Sequence, residues 1–180
     1  MKVLIIGIPG AGKSYLAGKM RKKGFFAIDA DFGKGMKVKG GLVEATDKNG
    51  KAVKLDPKGN IIWKNGADCG FNFNRLRKQL ERKSSVYIFT FTVHGHKGKG
   101  DGAVDVMKMF DKVYYLKVPV NNLKHRIRTR TNNDYGKDPN QMKYILLDKR
   151  SWDKKVRALR LKTLDSTLPA EKLIKMITSK

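Results

Sequence analysis

Eight residues near the start of the chain, Gly7-Ile8-Pro9-Gly10-Ala11-Gly12-Lys13-Ser14, fit the pattern G-x-x-x-x-G-K-[ST] at every fixed position. The spacing suits one chemistry, the cradling of a nucleotide's phosphates. Glycines let successive backbone N–H groups face phosphate oxygens with no side chain in the way. Lys13 is then placed to reach the β- and γ-phosphates, and Ser14 to offer a hydroxyl to Mg²⁺. A helix starting near Lys13 adds its positive dipole end. The second group is the carboxylate pair Asp29 and Asp31, which follows an apolar run, Phe25-Phe26-Ala27-Ile28. Carboxylates at the C-terminal end of a strand beside such a loop stand where α/β sheets bind ligands.

These side chains need a sheet to hold them. Val3-Leu4-Ile5-Ile6, directly before the loop, is an unbroken apolar run and reads as a parallel strand buried on both faces. After the loop, Leu16 and Met20 recur at helical spacing before a basic end at Arg21-Lys22-Lys23 and a stop at Gly24. Further strands are expected at 25–28, at Val86–Phe91, at Val113–Leu116 and, briefly, at Leu161–Leu164. Helices are expected at Asn74–Lys83, around Val104–Phe110, after Pro119 with Leu123 and Ile127, and from about 140 to 159 with Ile145, Trp152, Val156 and Leu159 on one stripe. Pro169 opens a terminal helix carrying Leu173, Ile174 and Ile177. Strands alternating with helices make a three-layer α/β sandwich with a parallel five-stranded sheet.

At 180 residues the chain suits one domain, 1–180, with insertions. Residues 32–73 change character, with many glycines and lysines and turn signals at Asp47-Lys48-Asn49-Gly50 and Asp56-Pro57-Lys58-Gly59-Asn60. They read as an inserted flap, with short extended pieces at 41–43, 52–55 and 61–63. The apolar runs are too short to span a membrane, and the chain opens directly on a core strand, so a cytoplasmic protein is expected. The single cysteine, Cys69, has no internal partner, and no Cys/His cluster has zinc spacing. Forty Lys+Arg against 16 Asp+Glu leave a formal charge of +24. That balance fits a nucleic-acid partner or a diffuse, solvated positive surface; the even spread of cations along the chain favours the second.

The chain resembles the small P-loop kinases of the adenylate kinase and shikimate kinase type, which move the γ-phosphoryl of ATP to a small acceptor. Four pieces carry the resemblance: the Gly7–Ser14 loop, the strand-end Asp29-x-Asp31, the segment Leu123-x-x-Arg126-x-x-x-Arg130 with Asn132-Asn133-Asp134-Tyr135-Gly136-Lys137, and Leu164-Asp165-Ser166-Thr167-Leu168-Pro169. It implies ATP and Mg²⁺ as cofactors, and a nucleotide site over Gly7, Pro9, Gly10, Ala11, Gly12, Lys13, Ser14 and Tyr15, with Asp165 in the loop that meets the adenine. It also implies a lid over residues 126–140. Ser14 and Asp29 would hold the metal, and Asp31 would orient or deprotonate the acceptor hydroxyl; the two aspartates are interchangeable at this stage. Phosphoryl transfer spreads negative charge over equatorial oxygens, so Lys13, Arg126 and Arg130 are the expected stabilising cations. Positions 126 and 130 share a helical face, whereas Arg128 points away. Arg75 and His94 are candidate acceptor ligands, with Trp63, Phe71 and Phe73 as candidate pocket walls.

The departures from the family narrow the acceptor. Thr90-Phe91-Thr92-Val93 lacks the aspartate of a Walker B strand. His94-Gly95-His96 stands where adenylate kinases carry Asp-Gly-Phe-Pro-Arg and shikimate kinases three glycines. The expected acceptor is thus a small molecule other than AMP or shikimate, plausibly another nucleoside or nucleotide. A polynucleotide 5′-hydroxyl kinase and a nucleotide-binding regulatory or nucleic-acid-binding ATPase are the alternatives.

Overall fold

The computed structural model describes residues 1–31, 36–37, 42–46, 68–91, 106–131 and 134–179. Five strands form the main sheet: β1 (Lys2–Ile6), β2 (Ala27–Asp29), β6 (Val86–Thr90), β7 (Lys112–Lys117) and β8 (Lys162–Asp165). Their spatial order is β2-β6-β1-β7-β8, and every neighbouring pair is parallel. β1 is central because Val3, Leu4, Ile5 and Ile6 are all fully buried, as an apolar strand covered on both faces must be.

Helices α1 (Lys13–Lys22), α2 (Phe73–Glu81), α3 (Val120–Thr129), α4 (Pro139–Ala158) and α5 (Ala170–Thr178) surround the sheet. Side-chain alternation along β7 shows the layering. Tyr114 turns to α5, its hydroxyl donating to the Met176 carbonyl at 3.5 Å. Tyr115 faces the other way and stacks on Trp152 of α4, with ring centroids 6.1 Å apart. α1 packs beside α5, so α1 and α5 cover one face of the sheet and α4 the other. The expected five-stranded parallel α/β sandwich is what forms.

A second, three-stranded sheet lies within 36–71: β3 (Met36–Lys37) parallel to β4 (Val43–Thr46), and β4 antiparallel to β5 (Asp68–Phe71). β5 was not expected from a run as polar as Asp68-Cys69-Gly70-Phe71. Its register opposite β4 supplies the order, with Val43 facing Phe71 and both fully buried in the core. The extended pieces expected at 52–55 and 61–63, and Trp63, lie outside the described residues. Of the helix expected around 104–110, residues 106–108 are helical among the described residues. Leu159 leaves the core stripe expected of it: α4 ends at Ala158, the chain turns with Arg160 at φ 51°, and Leu159 is 43% exposed.

Candidate active site

The phosphate loop joins β1 to α1, as the sequence order demands. Two of its glycines take backbone conformations that L side chains avoid, Gly10 at φ 84° and Gly12 at φ 99°. Gly10 has a second constraint. A Cβ there would stand 2.7 Å from Leu123 Cδ1 and 2.9 Å from Ile127 Cγ1, so α3 packs directly on the loop. Leu123 and Ile127 are fully buried for that reason.

Lys13 opens α1 and is only 5% exposed. Its ammonium donates to the carbonyls of Gly7 at 2.7 Å and Ile8 at 3.3 Å, and lies 3.5 Å from Asp31 Oδ2. A buried cation so tied is held at the mouth of its own loop, and the Asp31 carboxylate compensates part of its desolvation. Both carboxylate oxygens of Asp31 are further held. Oδ1 accepts from Thr90 Oγ1 at 2.8 Å, and Oδ2 accepts a short bond from the Phe91 backbone N–H. The same β6 terminus binds the loop itself, since Gly7 N–H donates to the Thr90 carbonyl at 3.1 Å. Thr90, fully buried, therefore links the phosphate loop to Asp31. Sequence reasoning had noted only that no aspartate stands there.

Asp29 takes a different role. Its carboxyl is pushed above the usual carboxylate range, first by burial and then by the neighbouring Asp31 charge. A hydrogen bond with Ser14 and the charge of Lys13 pull the other way. Asp29 Oδ1 also accepts from the Asp31 backbone N–H at 3.3 Å. Ser14 and Asp29 are thus neighbours, and a desolvated carboxylate beside a hydroxyl is an oxygen donor set suited to a hard cation. Among the described residues no three His, Cys, Asp or Glu side chains gather as a metal cage, so Ser14 and Asp29 fit a Mg²⁺ that keeps waters and phosphate oxygens as its other ligands.

Next to the loop lies a cleft of about 410 Å³, walled by Gly12, Tyr15, Leu116, Arg126, Thr167 and Leu173 among others. The 165–168 turn is shaped by Asp165, whose carboxylate accepts from Thr167 N–H at 2.9 Å and Thr167 Oγ1 at 2.8 Å. The Thr167 backbone bond is the main reason its carboxyl sits below the usual range. Asp165 thereby sets the path of Ser166 and Thr167. Tyr15 lies at the rim, 63% exposed, with the Lys19 ammonium 5.5 Å from its ring centre. An apolar slot framed by backbone groups beside a phosphate loop fits a nucleotide base.

The two arginines expected to act together hold different parts of the protein. Arg126 spends its guanidinium on protein atoms: Nη1 donates to the Ala11 carbonyl at 3.0 Å and to Ser166 Oγ at 3.1 Å, and Nη2 to the Ser166 carbonyl at 2.7 Å. It clamps the Gly7–Ser14 loop to the turn at Ser166. Arg130 caps α3, its backbone N–H donating to the Arg126 carbonyl at 3.2 Å, four residues back. α3 ends at Thr129, and Arg130 leaves it in extended conformation, ψ 145°. Its Nη2 donates a short bond to the Tyr135 carbonyl, while Nε is buried without a hydrogen-bond partner. Burial lowers its basicity, opposed by Asp134. Beyond it Gly136, at φ 91°, seats the segment against Ile127 and Ile145.

Arg75 pairs with Glu44 of β4 through a short bond from Nη1 to Oε1. Asn72, the N-cap of α2, accepts from Arg75 N–H at 3.2 Å and donates to Glu44 Oε2 at 3.4 Å. The small sheet is thereby tied to the start of α2. Phe71 is fully buried and Phe73 packs against the core, so both anchor this junction. His94 and His96 lie outside the described residues. No helix among the described residues is long and apolar enough to cross a membrane.

No protein-family model matches the chain, and no curated protein sequence does. Solved structures do. A shikimate kinase from Acinetobacter baumannii in complex with shikimate superposes with a TM-score of 0.56 at 18% identity, covering 97% of this chain and 91% of its own. A shikimate kinase from Bacteroides thetaiotaomicron gives 0.56 at 15% identity, covering 98% of each chain. A deoxyadenosine kinase from M. mycoides with bound dATP gives 0.52 at 16% identity, covering 98% of this chain and 97% of that one. Over nearly its whole length the chain has the fold of these P-loop kinases.

Proposed function

We propose that this protein is an ATP-dependent phosphotransferase that moves the γ-phosphoryl of ATP to a small acceptor, a nucleoside or nucleotide. The observation that carries the reading is the buried Lys13 ammonium 3.5 Å from an Asp31 carboxylate that Thr90 and Phe91 hold at the rim of a phosphate loop. The deoxyadenosine kinase that shares the fold is named for a nucleoside, and the Thr92–His96 stretch has one glycine, Gly95, in place of the three of shikimate kinases, which supports a nucleoside or nucleotide over shikimate.

In this reading the base lies in the cleft between Tyr15 and the Ser166–Thr167 turn, and the phosphates follow the Gly7–Ser14 backbone. Ser14 and Asp29 would hold a Mg²⁺, which would supply positive charge to offset that of the phosphates. The acceptor oxygen bonds to the γ-phosphorus as the bond to the β,γ-bridging oxygen breaks. ADP leaves, and the proton of an acceptor hydroxyl passes to Asp31. Lys13 stabilises the charge on the transferring group. Arg130, at the hinge of a lid spanning 126–140, is the second cation, and 32–73 forms the acceptor flap.

The test is transfer of labelled γ-phosphate, with Mg²⁺, to a panel of nucleosides, nucleoside monophosphates, small hydroxy metabolites and 5′-hydroxyl oligonucleotides. Label on a nucleoside or nucleotide is the expected result. Label on oligonucleotides alone, or free phosphate alone, overturns the reading in favour of a polynucleotide kinase or a nucleotide-hydrolysing regulator.

A further inference from the structure

α4 carries an outer face that neither the fold nor the proposed reaction uses. At 100° per residue, Lys143, Leu147, Arg150, Lys154 and Arg157 fall within an arc of about 80°. All five are exposed. Tyr144, 66% exposed, follows Lys143 at the N-terminal end, about 60° outside the arc, and Leu147 is 48% exposed. The stripe from 143 to 157 is about 21 Å long. On the opposite side Ile145, Trp152 and Val156 are buried. The helix's two acids, Asp148 and Asp153, lie off the stripe and are half-buried. Asp153 is bound by Lys149 at 2.6 Å.

The local physics of a helix does not explain this pattern. Arg150 with Lys154, and Lys154 with Arg157, are like charges at i,i+4 and i,i+3, which repel by a few tenths of a kcal/mol each. The helix dipole rewards cations in the last turn, where Arg157 stands, and not at Lys143 or Arg150. A row of exposed cations, of which Arg157 also donates from Nε to the Asp153 carbonyl at 3.1 Å, with an aromatic ring near one end matches a polymer that alternates phosphates with flat bases. We propose that the outer face of α4 binds single-stranded nucleic acid, its cations on successive phosphates and Tyr144 stacked on a base. An anionic membrane fits less well. A surface helix needs an apolar face to enter lipid, and that of α4 is sealed in the core. The inference does not rest on the proposed phosphotransfer.

The test is anisotropy of a labelled 20-nucleotide thymidine oligonucleotide with the intact protein, between 50 and 200 mM salt. Four phosphate contacts give a slope of about −2.8 in log K against log salt, an affinity loss of about 50-fold over that range. The variant K143Q/R150Q/K154Q keeps one contact and should lose only about 3-fold, and Tyr144→Ala should weaken binding about 10-fold. Thermal midpoints check that both variants fold. Transfer to small acceptors should be unchanged in both. A triple variant that binds with the wild-type slope overturns the proposal, because the charge then acts diffusely. So does binding to phosphatidylglycerol vesicles with none to the oligonucleotide, or no binding at 50 mM salt.

Discussion

Replacing Arg126 by Gln separates two roles that the sequence alone could not. Its guanidinium makes three hydrogen bonds, to the Ala11 carbonyl, Ser166 Oγ and the Ser166 carbonyl, at 3.0, 3.1 and 2.7 Å. At about 0.5–1.5 kcal/mol net for each bond, the clamp contributes about 2–4 kcal/mol. For a chain of this size that lowers the thermal midpoint by roughly 4–15 °C. Part of the loss falls on nucleotide binding, because the two loops that frame the cleft are no longer tied. If 1.4 kcal/mol of it does, the dissociation constant for ATP rises about tenfold. The turnover number should stay within about threefold, since the bonds go to protein atoms and not to the transferring group. A fluorescent ATP analogue measures the affinity, thermal melts the stability, and labelled-phosphate transfer the turnover. A fall in turnover of 10³ or more with affinity and midpoint unchanged would refute this reasoning, for that is the signature of an arginine acting on the transition state.

Lys13→Ala should abolish ATP-dependent transfer and leave a folded protein by circular dichroism; near-normal turnover would remove the phosphate loop from the mechanism. Asp31→Asn should reduce transfer while ATP binding persists, and Thr90→Val should do the same more weakly, with Thr90→Ser restoring turnover because its hydroxyl can still donate to Asp31 Oδ1. Asp29→Asn should gain stability at neutral pH: a carboxyl raised by burial opposes folding once pH climbs through its raised value, and an amide does not. Melts at pH 7.5 and in acid check the sign, since the gain should vanish where both side chains are neutral. Gly10→Ala should cost about 2–5 kcal/mol, from the left-handed backbone and the clash with Leu123 and Ile127, against about 1–2 kcal/mol for Gly12→Ala. Denaturant midpoints of the two variants should therefore differ, and equal losses would mean that α3 yields to the added methyl group.

The parts of the fold legible in the sequence are those whose signal is local. β1 and β6 are continuous apolar runs, and the loop between β1 and α1 is specified by glycines whose backbone angles no other residue takes cheaply. β5 was not legible, because Asp68-Cys69-Gly70-Phe71 has no strand pattern and owes its order to pairing with β4. What Arg126 and Arg130 bind was not legible for a related reason. Helical spacing relates the two residues to each other, but the partners that hold them, Ser166 and Tyr135, come from other segments. Thr90 was invisible as a positioning residue because its role depends on Asp31, 59 residues away in sequence.

The missing acid at the end of β6 makes sense once the charges around Lys13 are placed. A Walker B aspartate at Thr90 would set a third carboxylate beside Asp29 and Asp31, with Lys13 the cation that reaches them. The chain instead ends β6 with a hydroxyl and a backbone N–H, both donating to Asp31. Two donors and the Lys13 ammonium hold the Asp31 carboxyl group in place. Asp29, with Ser14, the Asp31 backbone N–H and the charge of Lys13 set against burial and the Asp31 charge, still has its carboxyl pushed up. In the proposed reaction that imbalance would separate the pair: the carboxyl whose ionisation is penalised would be relieved by a divalent metal, and the one held by protein donors would keep a fixed orientation toward an acceptor. The choice between the two aspartates therefore follows from what β6 donates and not from the Asp-x-Asp spacing, and exchanging Thr90 for Asp should abolish the distinction, costing transfer even though it restores the residue that a Walker B strand would carry.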